Sequence, residues 1–326
     1  MLINFVMSSY AQSSIFEHII GYFRRYGKFH YIVTKDAVSG ADVYYYFRPH
    51  LETKLQKNSI VTVHHDLNEK DDALCIERFI PRYKEASIVV CLNSVQRDIL
   101  NSYGITSTVV IPHGFNHEIL YPIEKRLSNK KTLGYFSHYY PRNVKGEPYF
   151  IELLKKLNPE KYKIILVGEK RLLLGEDIRK LGYECDTYEV LPYSCYNDLY
   201  SMIDALIITS AYEGGPANIP EALATHTPII ATKVGMIFDL IGWEGLTLLT
   251  GEIGKDIESI SSSLEKSIPL LPVSETKFNF KFMNWMQVIN QYDNLFSKTV
   301  IQHNYVVKKN SWDIFTKELV YFYRTL

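Results

Sequence analysis

Short unbroken apolar runs alternate with stretches whose apolar residues recur every three or four positions, from one end of the chain to the other. The runs predict strands at Leu2–Met7, His30–Val33, Val43–Phe47, Ile60–His64, Ser87–Leu92 and Thr108–Ile111. Their continuous β-branched character points to strands buried on both faces, as parallel sheets require. Between them, Ser14–Tyr26 and Ser94–Tyr103 read as helices, the second opened by an Asn93/Ser94 cap signal and followed by Gly104. A polar, proline-bearing stretch from Tyr121-Pro122 to Asn129-Lys130-Lys131 then interrupts the pattern. It restarts with strands at Thr132–Phe136, Lys163–Val167, Tyr188–Leu191, Ala205–Thr209, Pro228–Thr232 and Leu246–Thr250. Helical periods cover Pro148–Leu157, Leu173–Leu181, Tyr196–Ile203, the surroundings of Glu221, and Ile257–Lys266. Two tryptophan-bearing segments, Phe282–Phe296 and Trp312–Leu326, close the chain. The pattern predicts an α/β protein of two Rossmann-like domains facing a cleft, divided near residue 126.

Composition narrows the function classes. The 326 residues suffice for two cores at roughly 150 residues per domain. With 46% hydrophobic residues and no net charge, long-range disorder is excluded, and so is nucleic-acid binding by bulk electrostatics. No run of about 18 uncharged apolar residues exists to span a membrane. The opening segment has neither a basic n-region nor a small-residue cleavage pattern, so a cytoplasmic protein is expected. Cys75, Cys91, Cys185 and Cys195 form no CxxC pair, and neither a disulfide framework nor a zinc site is expected.

The densest chemical signal is Ala205-Leu-Ile-Ile-Thr-Ser210, then Ala-Tyr-Glu-Gly-Gly-Pro216, then Ala-Asn-Ile-Pro-Glu-Ala-Leu-Ala224. A buried strand runs into a glycine-rich turn and then a helix, and open α/β sheets bind ligands at such carboxyl ends. Gly214 and Gly215 lack a Cβ, so a phosphate can approach their amides, with Pro216, Ala217 and Asn218 leading into the helix. Glu213 is placed to meet a sugar, and Glu221 to accept two hydroxyls of a ribose. The same residues admit a purely structural reading, in which Asn218 and Glu221 form a capping box and Glu213 is a solvated loop residue.

These residues resemble the GT-B glycosyltransferases of the GT4 type. The likeness rests on Glu213 and Glu221 with seven residues between them, the helix that follows, and the strand opened by Pro228. Lys163-Ile-Ile-Leu-Val-Gly168-Glu169 and Asn197-Asp-Leu-Tyr-Ser-Met-Ile-Asp-Ala205 resemble two further family segments in the expected order, so the likeness covers most of residues 108–250. It implies a GT-B arrangement with domains at 1–125 and 126–305 and a helix at 306–326 crossing back to the first. It also implies a retaining enzyme that moves a sugar from a nucleotide-diphosphate sugar to a glycan or lipid-linked acceptor, in surface polysaccharide or glycoconjugate synthesis. In such enzymes an Arg and a Lys after the first strand of the second domain neutralise the diphosphate. Arg142 and Lys145 fill those places here, with His138 a substitute, and Gly168 lies beside the nucleotide. The family's cleft-facing histidine aligns with His65, which joins Glu213 as a catalytic candidate. His64, with Tyr10 and Gln12 of the loop after the first strand, forms the expected acceptor side. His113-Gly114 reads as a hinge. No Asp-x-Asp motif follows a strand, so neither metal nor cofactor is expected.

Two rival functions remain on the residues alone: a nucleotide-sugar epimerase or hydrolase of the same fold, and a non-catalytic subunit that binds a partner transferase. Helix Ser14–Tyr26, ending in Arg24, Arg25 and Lys28, suits either the core of the first domain or peripheral contact with the inner face of a membrane.

Overall fold

The computed structural model describes residues 1–7, 14–122, 124–125, 128–265 and 283–300. Two six-stranded sheets, parallel throughout, organise them. The first contains β1 (Leu2–Val6), β2 (His30–Thr34), β3 (Val43–Tyr46), β4 (Ser59–Thr62), β5 (Ile88–Cys91) and β6 (Thr108–Val110), in the order β2-β1-β3-β4-β5-β6. The second contains β7 (Lys131–Phe136), β8 (Tyr162–Val167), β9 (Glu184–Tyr188), β10 (Ala205–Ile208), β11 (Ile229–Thr232) and β12 (Leu246–Leu249), in the order β12-β11-β10-β7-β8-β9. In each sheet the chain winds outward, returns to the middle and winds the other way. The switch points are β1/β3 and β7/β10, where open sheets leave a crevice for ligands.

Apolar clusters cover both faces of each sheet, which is why most strands read as continuous apolar runs. The helices are α1 (Ser14–Tyr26), α2 (Ile76–Glu85), α3 (Ser94–Ser102), α4 (Glu147–Leu154), α5 (Leu172–Lys180), α6 (Tyr196–Met202), α7 (Asn218–Ala224) and α8 (Ile253–Glu265). A further helix, α9, spans residues 285–300. The α1 stripe of Phe16, Ile19, Ile20 and Phe23 is buried in the first core, so it offers no apolar face to a membrane. Arg24 and Arg25 stay exposed, and Arg25 pairs with Glu118. No helix among the described residues is long and apolar enough to cross a membrane.

Three elements differ from the sequence expectation. Helix α2 was not predicted, and it contains Pro81, whose ring removes one ladder bond inside the helix. Ile76, Phe79 and Tyr83 nonetheless bury one face of it. Strand β9 occupies Glu184–Tyr188 rather than Tyr188–Leu191. It is an edge strand, and its polar residues pair outward, Glu184 with Lys130 and Asp186 with Lys163. Residues 285–300, expected within the second domain, pack instead on the first sheet through Val288, Ile289, Tyr292 and Phe296. Asn284 and Gln287 cap this helix reciprocally, each side chain accepting the other's N–H at 3.0 Å. Buried Asp293 then fastens it, accepting the Lys28 N–H at 3.1 Å and the Tyr31 hydroxyl at 2.7 Å. The expected crossing helix at 306–326 lies outside the described residues.

Candidate active site

The loop from β7 to α4 and the turn after β10 leave the second sheet at its switch point and are stitched together. Thr209 donates through its hydroxyl to the Lys145 and Gly146 carbonyls at 3.0 and 3.1 Å, Tyr135 donates to the Lys145 carbonyl at 2.6 Å, and the Ala211 N–H donates to Val144 at 2.9 Å. Gly146 is required here: its φ is +76°, and a Cβ would lie 1.8 Å from the Thr209 carbonyl. This stitching aims Lys145 at Glu213, Nζ to Oε1 at 2.6 Å, and the Ser210 hydroxyl donates to the same oxygen at 2.8 Å. Both members of the pair are largely buried. A lysine and a glutamate thus face each other at the carboxyl ends of β7 and β10, the place where the sequence put diphosphate and sugar.

The glycine-rich turn also closes against the first domain. Asp66, just after β4, accepts the Glu213 N–H at 3.1 Å, and the Asn93 side chain donates to the Gly214 carbonyl at 2.8 Å. A Cβ on Gly214 would come within 2.6 Å of the His64 carbonyl, and one on Gly215 within 2.5 Å of Leu92. These glycines therefore serve the approach of the two domains, and the face their missing Cβ opens is filled by protein rather than by ligand. Their N–H groups have no main-chain acceptor among the described residues and stay available to an anion. At the far side of the same cleft, Asp239 accepts both the N–H and the hydroxyl of Ser94 at the start of α3.

Arg142 does not join Lys145. With Arg142 and Asn143 both left-handed, the guanidinium turns across the cleft to Asp71 at 2.9 Å and Glu69 at 3.4 Å. His138 accepts the Glu169 N–H on Nδ1 at 3.0 Å. Gly168 is left-handed, and a Cβ there would lie 2.2 Å from the Ser137 carbonyl, so its missing side chain serves the packing of this turn.

The sequence reading missed Arg171, which is fully buried under this loop. Its guanidinium donates to the Ser137 carbonyl at 2.7 Å, the Ser137 hydroxyl at 2.8 Å and the His138 carbonyl at 2.9 Å, and pairs with Glu147 at 2.7 Å. The fork of one arginine thus fixes both the turn after β7 and the first residue of α4. Its signal was present as the sole Arg directly after the Gly168-Glu169-Lys170 turn, a place where solvated charges are equally common.

Glu221 is buried in α7, and the capping-box reading fails: the N-cap is Ala217, without a side-chain cap. Asn218 instead donates to the Phe136 carbonyl at 2.8 Å. The Glu221 carboxylate accepts the hydroxyls of Tyr193 at 2.8 Å and Tyr200 at 3.0 Å, so two tyrosines occupy the places expected for ribose hydroxyls. Each oxygen keeps a further lone pair. Burial raises its pKa to about 7, against the lowering effect of the two tyrosines.

The two adjacent histidines point apart, as successive residues leaving a strand must. His65 stacks on Phe79 of α2 at 3.9 Å, and burial lowers its pKa to about 4. Its ring faces α2, while its main chain lies against Gly214, beside Glu213. His64 lies on the opposite side, between Phe16 at 4.9 Å and His113 at 5.8 Å, with its Nε2 buried and without a partner. His113, read as a hinge, is buried between His64 and Trp285, each 5.8 Å away ring to ring, with neither ring nitrogen hydrogen-bonded among the described residues. Tyr10 and Gln12 lie outside the described residues.

Residues 130–266 match the family described as Glycosyl transferases group 1. No curated protein matches the chain by sequence. Among solved structures, Anabaena HepE in complex with UDP and glucose matches with a TM-score of 0.67 at 17% identity, over 90% of this chain and 99% of that one. Sucrose-phosphate synthase from Thermosynechococcus elongatus matches at 0.64 and 13% identity, over 96% and 100%. The lipopolysaccharide outer core galactosyltransferase WaaB in its apo form matches at 0.64 and 14% identity, over 91% and 100%. At such identities the likeness is one of fold, two Rossmann-like domains across a cleft.

Proposed function

We propose that this chain, whose residues 130–266 match the group 1 glycosyl transferases and whose fold is of the GT-B kind, moves a glycosyl unit from a nucleotide-diphosphate sugar to an acceptor hydroxyl with retention. The carrying observation is the Lys145–Glu213 pair, 2.6 Å apart at the switch point of the second sheet. A buried lysine held by one carboxylate can be recruited by a stronger anion, and a departing diphosphate is one. Lys145 and the Gly214 and Gly215 amides would meet the charge that grows on the leaving group, while Glu213, released, accepts a hydroxyl of the transferred sugar. The bond from the anomeric carbon to the phosphate oxygen breaks, and a bond to the acceptor oxygen forms on the same face. The acceptor's proton leaves with the diphosphate. Charge compensation by Lys145 and the amides removes the need for a metal ion. Glu221, with its remaining lone pairs, is assigned to the ribose. The likeness to HepE, solved with UDP and glucose, and to the lipopolysaccharide outer core galactosyltransferase WaaB supports this donor class and an acceptor in surface polysaccharide or glycoconjugate synthesis.

The test is a panel of nucleotide sugars with simple glycoside acceptors, run on the wild type and on Glu213→Ala. Transfer should fall by about 10²-fold or more in the variant, while affinity for the nucleoside diphosphate alone is kept, because that ligand lacks the sugar. Isomerised or free sugar as the main product with acceptor present would overturn the transferase reading. Normal turnover in a stable variant would overturn the role of Glu213.

A further inference from the structure

We propose that the acceptor is an anion, carrying a phosphate or carboxylate group whose counter-charge is Arg48 of the first domain. The inference rests on the transferase reading and concerns the other half of the same cleft. Arg48 follows the carboxyl end of β3, partly buried, with its guanidinium 5.8 Å from the centre of the Phe16 ring. Its guanidinium makes no hydrogen bond and no ion pair with any described residue. Every other partly or fully buried arginine among them has an oxygen partner: Arg82 has Glu85, Arg97 has Asp98, and Arg171 has Glu147 and the Ser137–His138 turn. Arg24, Arg78 and Arg179, the other described arginines without an ion pair, are exposed.

An aromatic face attracts a guanidinium but satisfies none of its five N–H donors, so a partly desolvated Arg48 lacks the acceptors its burial requires. An oxyanion supplies them in the bidentate geometry the fork prefers. The surroundings add positive potential and open donors. His50, in the turn after Arg48, has a buried Nδ1 without a partner, and the charges of Arg48 and Arg78 both act on it. His64 Nε2 is likewise buried and unpartnered.

The position suits an acceptor. The Gly214 position packs against the His64 main chain, the Phe16 ring stands 4.9 Å from the His64 ring, and Arg48 lies over Phe16. A continuous row of residues therefore links the transfer turn to Arg48. A hydroxyl presented near Glu213 and an anionic group held at Arg48 would belong to one ligand lying along that row.

The probes are inorganic phosphate and acetate, titrated calorimetrically into the wild type, Arg48→Ala, Arg48→Lys and Lys145→Ala, with nucleoside diphosphate binding measured on the same samples. Saturable binding of at least one probe is expected in the wild type and in Lys145→Ala. It should weaken at least tenfold in Arg48→Ala, with partial recovery in Arg48→Lys, which keeps charge without the fork. Phosphate alone saturating points to a phosphorylated acceptor, and acetate saturating as well points to an acidic sugar. Binding unchanged in Arg48→Ala, or absent from the wild type up to tens of millimolar, overturns the proposal. If nucleoside diphosphate still binds in that event, the donor reading stands and only the anionic acceptor falls. Melting temperatures of the variants check that each is folded.

Discussion

Replacing Glu221 by Gln should stabilise the protein at neutral pH and weaken its grip on nucleotide, two opposite effects from one carboxylate. Burial raises the Glu221 pKa from 4.5 to about 7. At about 1.4 kcal/mol per pH unit, keeping this group ionised inside the fold costs about 3 kcal/mol. The sign is opposite to that of a salt-bridged acid. Between the two pKa values the folded protein binds a proton that the unfolded chain does not, so stability declines as pH rises from about 4.5 to about 7 and is level above it. A glutamine has no such penalty, and its amide can still meet Tyr193 and Tyr200, whose hydroxyls donate or accept. The stability gap between variant and wild type should therefore be near zero at pH 4 and grow to about 3 kcal/mol by pH 8. Urea denaturation across that range reads it directly. Nucleoside diphosphate should bind the variant about tenfold more weakly at pH 8, since an amide oxygen is the poorer acceptor for ribose hydroxyls. Parallel stability curves for the two proteins would refute the buried-acid reasoning, and equal nucleotide affinities would refute the ribose role.

Two further outcomes follow from contacts that the sequence did not announce. Arg171→Lys keeps the charge beside Glu147 but cannot span the Ser137 and His138 oxygens, so it should cost about 2–4 kcal/mol by denaturation and slow turnover beyond what partial unfolding explains; unchanged stability would mean that the loop stands without the fork. Asp239→Ala removes the carboxylate that caps α3 from across the cleft, so the free protein should expand in small-angle scattering and lose about 1–2 kcal/mol of stability, and an unchanged scattering curve would show that closure is held elsewhere.

The fold was legible wherever burial was two-sided. Strands such as β3 and β10 are buried at every position, which makes a continuous apolar run the right signal for them. That signal weakens at the margins of the sheet. In β9 the solvated edge substitutes charge pairs for apolar contacts, so Glu184 and Asp186 disguise a strand as a loop. Helix α2, which was not predicted, forms around Pro81 because burial of Ile76, Phe79 and Tyr83 outweighs one missing hydrogen bond. The final helix shows another limit. Its amphipathic period was visible, whereas the sheet it would cover depends on where the chain runs after α8, and local pattern holds no information about that.

The site was legible at the level of segments and not of side-chain direction. The strand, the glycine turn and Glu221 could be placed because each depends on local backbone chemistry. His64 and His65 could not be told apart, since neighbouring residues leave a strand toward opposite sides and a slip of one position exchanges them. Phe79 decides the matter by providing a stacking surface for His65, and Phe79 belongs to the helix that was not predicted. The missed helix and the unread direction of His65 thus share one cause. Arg142 fails for a related reason: residues near it in sequence suit a diphosphate, but Glu69 and Asp71 lie just before that same helix and draw the guanidinium away. In a structure with nucleoside diphosphate bound, Arg142 is expected to keep its pairing with Asp71 and Glu69, and a guanidinium turned to the diphosphate would refute this reasoning.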